Sequence, residues 1–185
     1  MSLFSVQKMD QISQIVSEIE PLAPKDLMIR RMKFFASFER ARNSINYEAD
    51  MAKVADNMGY LTSGEYADSI FLFLDYQYAA EYKKEMNDIP AAIEFYKKAV
   101  SRDEKKTGAL AELAKLYRRN KQYNEAIATF TEYMTKQGDD KIKVADYLQL
   151  AQMYIPAARQ EGLTPEQKQE ILNKGDEALA KALEK

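Results

Sequence analysis

Residues 76–100, YQYAAEYKKEMNDIPAAIEFYKKAV, and residues 110–134, LAELAKLYRRNKQYNEAIATFTEYM, carry one pattern twice, 34 positions apart. Small residues fall on small ones, Ala80 on Ala114 and Ala92 on Ala126. Large apolar residues fall on large apolar ones: Tyr76 on Leu110, Ile89 on Tyr123, Ile93 on Ile127, Tyr96 on Phe130 and Val100 on Met134. A fixed period of this length marks an array of small units, each of which buries its apolar face only against its neighbours.

The second copy, Leu110-x2-Leu113-Ala114-x2-Tyr117 followed by Ala126-Ile127-x2-Phe130, resembles the tetratricopeptide repeat (TPR) family. That family's unit is a helix-turn-helix with small residues where its two helices cross. The first copy keeps Ala92-Ile93-x2-Tyr96-x2-Ala99-Val100, but Lys83 stands at an aromatic place, and Glu104 and Gly138 replace the family's closing proline. A third copy, Leu150-Ala151-x2-Tyr154, follows at an offset of 37, so three residues are added around Asp139-Asp140-Lys141. The resemblance implies an all-α fold, a right-handed superhelical stack of antiparallel helix hairpins (an α-solenoid). It divides the chain into an N-terminal helix (1–25), a diverged hairpin (26–62), a unit with an extended first helix (63–106), a unit at 107–140, and a stretched unit at 141–185.

Outward from the repeats, Val6, Met9, Ile12, Ile15, Val16 and Ile19 have helical spacing, and Pro21 and Pro24 end that helix. It resembles the second helix of an upstream unit. Asp26 is placed to cap a second helix with Leu27, Met28, Met32, Phe34, Phe35 and Phe38 on its apolar face. Asn43-Ser44 breaks that helix, and Met51, Val54, Ala55 and Met58 mark a third, closed by Gly59. Thr62 and Glu65 have capping-box spacing for a helix over 65–86, and the run Ile70–Leu74 predicts that it is buried nearly all round. Met86-Asn87-Asp88 is a turn, with Pro90 opening the return helix to about Arg102; further helices are expected at 108–120 and 123–137. Pro156 predicts an end or kink just past Tyr154, leaving 157–163 as a connection. Thr164-Pro165-Glu166-Gln167 starts the last helix, whose apolar face is Ile171, Leu172, Gly175, Leu179, Ala182 and Leu183. Gly175 resembles the family's small crossing residue. Met1-Ser2-Leu3 reads as added leader residues, and a helical pattern running to Lys185 suggests a piece of a longer bacterial repeat protein.

The 185 residues carry 46% hydrophobic side chains, enough for a core, with 6 Gly and 5 Pro, a helix-favouring balance. Lys and Arg number 27 against 29 Asp and Glu, and no basic cluster is set aside for nucleic acid or anionic lipid. Cysteine and histidine are absent, which removes disulfides, thiolate and imidazole chemistry and the usual zinc sites. No apolar run approaches the length of a membrane span, and absent cysteine fits cytoplasm or periplasm alike.

Glu18/Glu20 and Asp139/Asp140 lack the oxygen-rich spacing of a cation loop, and no phosphate-cradling glycine motif occurs. No catalytic residue, cofactor site or metal site is therefore expected. Tyr76, Tyr96, Tyr117, Tyr123 and Tyr154 fall at packing places of the repeat, which leaves Tyr78 as the candidate for stacking. What remains is surface. The resemblance implies that each unit's first helix lines a concave groove in which partner peptides lie. The groove places are Gln77, Tyr78, Glu81 and Lys84, then Glu112, Lys115, Arg118 and Arg119, then Gln149 and Gln152. The family's lysine-asparagine clamp for a C-terminal carboxylate is not reproduced, because its places hold Gln77/Glu81, Ala111/Lys115 and Leu148/Gln152. The expected role is a non-enzymatic scaffold for a protein or peptide partner. A structural spacer that self-associates through exposed repeat ends, or part of an outer-membrane carbohydrate-uptake lipoprotein, are the alternatives.

Overall fold

The computed structural model describes residues 3–185, with side chains from residue 8 onward; Met1-Ser2 lie outside the described residues, as does the Val6 side chain expected in the first apolar stripe. Those residues form nine α-helices and no strand: α1 (Leu3–Ile19), α2 (Leu27–Ala41), α3 (Tyr47–Met58), α4 (Phe73–Glu85), α5 (Ile89–Arg102), α6 (Thr107–Arg119), α7 (Tyr123–Gln137), α8 (Val144–Ala158) and α9 (Pro165–Glu184). The chain divides into two compact units, Met1–Tyr82 and Lys83–Lys185, with the boundary inside α4.

In the first unit, Asp26 caps α2 as expected, its carboxylate accepting from the Met28 and Ile29 backbone N–H groups. That cap fixes which side chains face inward. Ile29, Phe34 and Phe38 are buried while Met28 is exposed, against the expected apolar face. On α3, Met51, Val54 and Met58 are buried, but Ala55 faces solvent.

The helix expected over 65–86 begins only at Phe73. Residues 59–72 instead hold two single-turn 3-10 helices, Gly59–Leu61 and Asp68–Ile70, joined by bends. Thr62 and Glu65 make no capping box: the Thr62 hydroxyl donates to Gly59 O, and Glu65 N donates to the Ser63 hydroxyl. Phe71, in extended backbone, drives its ring against Tyr60, Tyr66 and Tyr76. Ile70, Leu72 and Leu74 around it are exposed, so the apolar run is not buried on all sides. The start signal is Asp75, which reaches back to accept from Leu72 N at 2.7 Å.

Asp75 also fixes the middle of this unit. Its carboxylate is wholly buried and takes both prongs of the Arg31 guanidinium, at 2.6 Å each, and the Tyr60 hydroxyl at 2.8 Å. Four donors therefore satisfy one buried charge, which is what burial of a carboxylate requires. The Tyr60 phenol is pushed well up, first by burial and then by the Asp75 charge.

In the second unit, Asn87 takes a left-handed conformation (φ 60°) in the turn, and Asp88 caps α5 through Ala91 N. Small residues Ala114 and Ala126 are fully buried between α6 and α7, beside Phe130, Met134, Ile142 and Met153. Gly138 (φ 78°) ends α7, and the three added residues, Asp139–Lys141, form a single 3-10 turn. Pro156 neither ends nor interrupts α8 after Tyr154. The helix runs on to Ala158 because so late a proline removes one backbone bond, while Ala157 and Ala158 behind it are buried. Thr164 and Gln167 form the expected capping box of α9. Gly175 lies where α9 meets α8: an added Cβ would sit 3.2 Å from Tyr154 Cβ. Beside it Ala178 and Ala182 face inward, whereas Leu172, Leu179 and Leu183, expected on the apolar face, point out.

Candidate partner-binding surfaces

Three of the expected groove residues, Gln77, Tyr78 and Glu81, come together in the first unit. They line a cleft of about 330 Å3 with Phe38, Glu39, Arg42 and Leu74. Its floor is aromatic. Tyr78 stacks on Phe35 with centroids 4.2 Å apart, and meets Phe34 and Phe38 edge-on. Its rim is charged: Arg42 lies 3.9 Å from Glu39, with its guanidinium 5.5 Å from the Phe38 ring centroid, and Glu81 stands on the same rim. Phe38, Glu39 and Arg42 were not foreseen as site residues, although their three-to-four spacing on one helix was a visible signal.

Burial, then the charge and hydrogen bond of Glu39, push the Tyr78 phenol up to about 12, against a smaller pull from Arg42. A phenol with its folded value raised above the usual 10 favours the folded state below pH 10, and that contribution is lost as pH rises toward 12. Tyr78→Phe should therefore flatten the fall of stability between pH 10 and 12 relative to wild type. Denaturation midpoints against pH check this. Parallel curves for the two proteins would mean that the hydroxyl is not held in its neutral form.

In the second unit, Lys84, Glu112 and Lys115 form one ion-paired group. Glu112 stands 3.5 Å from Lys84 and 2.7 Å from Lys115. Burial alone would raise the Glu112 carboxyl, but the hydrogen bond and charge of Lys115, with Lys84 behind it, hold it below the usual range. Arg119 donates to Asn87 Oδ1 at 2.6 Å, so this arginine is a tie between turns. Arg118 is half-buried on α6. On α8, Gln152 is exposed, while Gln149 is half-buried and its amide nitrogen has no hydrogen-bond partner. Lys84 and Lys115 thus share the single Glu112 carboxylate, whereas Arg119 meets a neutral amide. A second cleft of about 420 Å3 lies beside α7, α8 and α9, with Tyr147, Tyr154, Lys174 and Lys181 among its lining.

Among the described residues, no group of three or more Asp and Glu is placed to hold a metal ion. Nor is any helix there long and apolar enough to cross a membrane.

The sequence pattern described as tetratricopeptide repeat matches residues 84–150. No curated protein matches the chain in sequence. Among solved structures, a crystal structure of MamA aligns with a TM-score of 0.66 at 13% identity, covering 100% of this chain and 94% of that one. A second, of MamA protein, aligns with a TM-score of 0.64 at 13% identity, covering 96% and 82%. At such identity the likeness shows the fold alone. Two helix-turn-helix copies in tandem, the sequence match over them and the shared fold lead to one conclusion: residues 84–150 match the tetratricopeptide repeat, within an all-helical repeat fold like that of MamA.

Proposed function

We propose that the chain is a non-enzymatic scaffold that holds an extended peptide of a protein partner in the α2–α4 cleft. TPR units generally serve protein–protein interaction, and the single observation supporting this particular place is the cleft's build. It gathers Gln77, Tyr78 and Glu81 over an aromatic floor between carboxylates and a guanidinium. An aromatic floor offers contact area with little side-chain freedom to lose, and a rim of both signs orients a chain lying across it. Glu81, beside the Glu39–Arg42 ion pair, favours a peptide with an apolar or aromatic anchor followed by a lysine or arginine. Lys84, Glu112, Lys115, Arg118, Arg119, Gln149 and Gln152 form the corresponding polar line of the second unit, within the proposed repeats 63–106, 107–140 and 141–185.

Selection from a phage-displayed peptide library with wild type, repeated with Glu81→Lys, tests this. Peptides of the anchor-plus-basic kind that bind wild type and lose about tenfold in affinity for the variant, roughly the 1.4 kcal/mol of one charge contact, are expected. Circular dichroism must show the variant's helix content unchanged. Selected peptides that bind both proteins equally would remove function from this cleft.

A further inference from the structure

Helices α8 and α9 run antiparallel, with Gly175 seated against Tyr154 and Ala151. That seat sets their register. On α8 the exposed aliphatic residues are Val144, Leu148 and Ile155, which fall on one narrow stripe. On α9 they are Leu172, Leu179 and Leu183, again one stripe. With about 1.5 Å of rise per residue from the Gly175 seat, Val144 lies level with Leu183, Leu148 with Leu179, and Ile155 with Leu172. Gln152 lies level with Asp176. Both stripes flank the α8–α9 seam on the side away from α7, since the residues lining the cleft beside α7 (Tyr147, Tyr154, Lys174 and Lys181 among them) flank it on the other. The hairpin's outer face is therefore a ladder of three aliphatic rungs and one polar rung.

Elsewhere in the array these places are covered. Counting from the small crossing residues, Gly175 corresponds to Ala126, so Leu179 stands where Phe130 does and Leu183 where Met134 does. Phe130 and Met134 are buried together with Ile142 and Met153. Phe130 is 1% exposed and Leu179 43%. Six large aliphatic side chains in one patch exceed the scattered exposure usual on a monomer.

We infer that this face is a self-association surface on which a second copy of the chain seats its own α8–α9 hairpin. The face is its own complement. A two-fold axis parallel to the helices lays α8 of each copy on α9 of the other, with aliphatic rungs against aliphatic rungs. Asp176 then meets the Gln152 amide of the other copy, a donor for a carboxylate. A strongly charged partner helix would find nothing on the rungs to neutralise it. This pairing is independent of the α2–α4 cleft.

Sedimentation equilibrium of the full chain across a wide concentration range reads the pairing. The mass should rise from 21.3 kDa toward twice that value. Leu148→Asp and Leu179→Asp should each stay at one chain's mass throughout, while Leu22→Asp, at an exposed place in the first unit, should dimerise like wild type. Because the chain has no cysteine, a second test avoids charge in the face. A Leu148→Cys chain mixed with a Leu179→Cys chain should oxidise to the mixed disulfide far more readily than either does with itself. A single-chain mass at every concentration would overturn the inference. So would a dimer that both aspartate variants leave intact, or cross-linking that shows no preference for the mixed pair.

Discussion

Replacing Asp75 with alanine is expected to destabilise the first unit by about 3–5 kcal/mol, the usual cost of removing one partner from a buried ion pair. The size follows from what is left behind. Arg31 would keep its guanidinium in the core with neither of its 2.6 Å contacts, the Tyr60 hydroxyl would lose its acceptor, and Leu72 N its cap. Asp75→Asn keeps the shape and part of the hydrogen bonding but not the charge, and should cost less. The double change Arg31→Met with Asp75→Leu leaves no orphaned charge and should recover much of the loss, because well-packed apolar pairs often replace buried ion pairs without penalty. Hydrogen exchange of α2 and α4 amides, with urea midpoints, reads all three. A small loss for Asp75→Ala, within the range of a surface substitution, would mean that water reaches the site and that the carboxylate is not what holds residues 59–72 to α2.

That network also shows where the sequence was legible and where it was not. The 34-residue period, Asp26, Thr164 and Gly138 each carry a local physical signal, and each marks the helix end that it should. The start of α4 escaped because its signal is only half of a capping box. Asp75 supplies the back-reaching carboxylate, but Leu72 offers no hydroxyl at the cap, whereas Thr62 and Glu65 display the full spacing and do nothing with it. Periodicity misled for a related reason. Ile70–Leu74 is apolar at every position, so it cannot say that Phe71 alone points inward. On α9, Leu172, Leu179 and Leu183 and the inward Gly175, Ala178 and Ala182 are neighbouring arcs of one wide stripe. Hydrophobicity favours the leucines; closeness of helix packing favours the small residues, and it decides.

The candidate surface was legible in part, for the same kind of reason. Gln77, Tyr78 and Glu81 came from counting within a repeat, and they do share a cleft. The opposite wall, Phe38, Glu39 and Arg42, lies on a helix outside the clear repeats, where counting had no anchor. Ion pairing was likewise invisible. Lys84 and Glu112 are far apart in sequence, so nothing there showed that Lys84 and Lys115 share one carboxylate.

The contrast between two equivalent places supplies the second large effect. Phe130→Ala should cost the second unit about 3–5 kcal/mol, the usual loss for a fully buried phenylalanine. Its ring is packed with Ala114, Ala126, Met134, Ile142 and Met153 and lies 5.2 Å from the Tyr133 ring, so truncation opens a cavity among α6, α7 and α8 at once. Leu179→Ala, at the same place one unit later, should cost the monomer under about 1 kcal/mol, because partial exposure leaves less area to lose and no closed cavity. Hydrogen exchange at low protein concentration separates the two, with α6–α8 amides losing protection in Phe130→Ala and keeping it in Leu179→Ala. At high concentration the order of sensitivity should narrow, since pairing through the α8–α9 face would bury Leu179 as α8 buries Phe130. A Leu179→Ala chain that is as destabilised when dilute as Phe130→Ala would mean that the leucine is already covered within its own chain, and that the hairpin's outer face has no vacancy to fill.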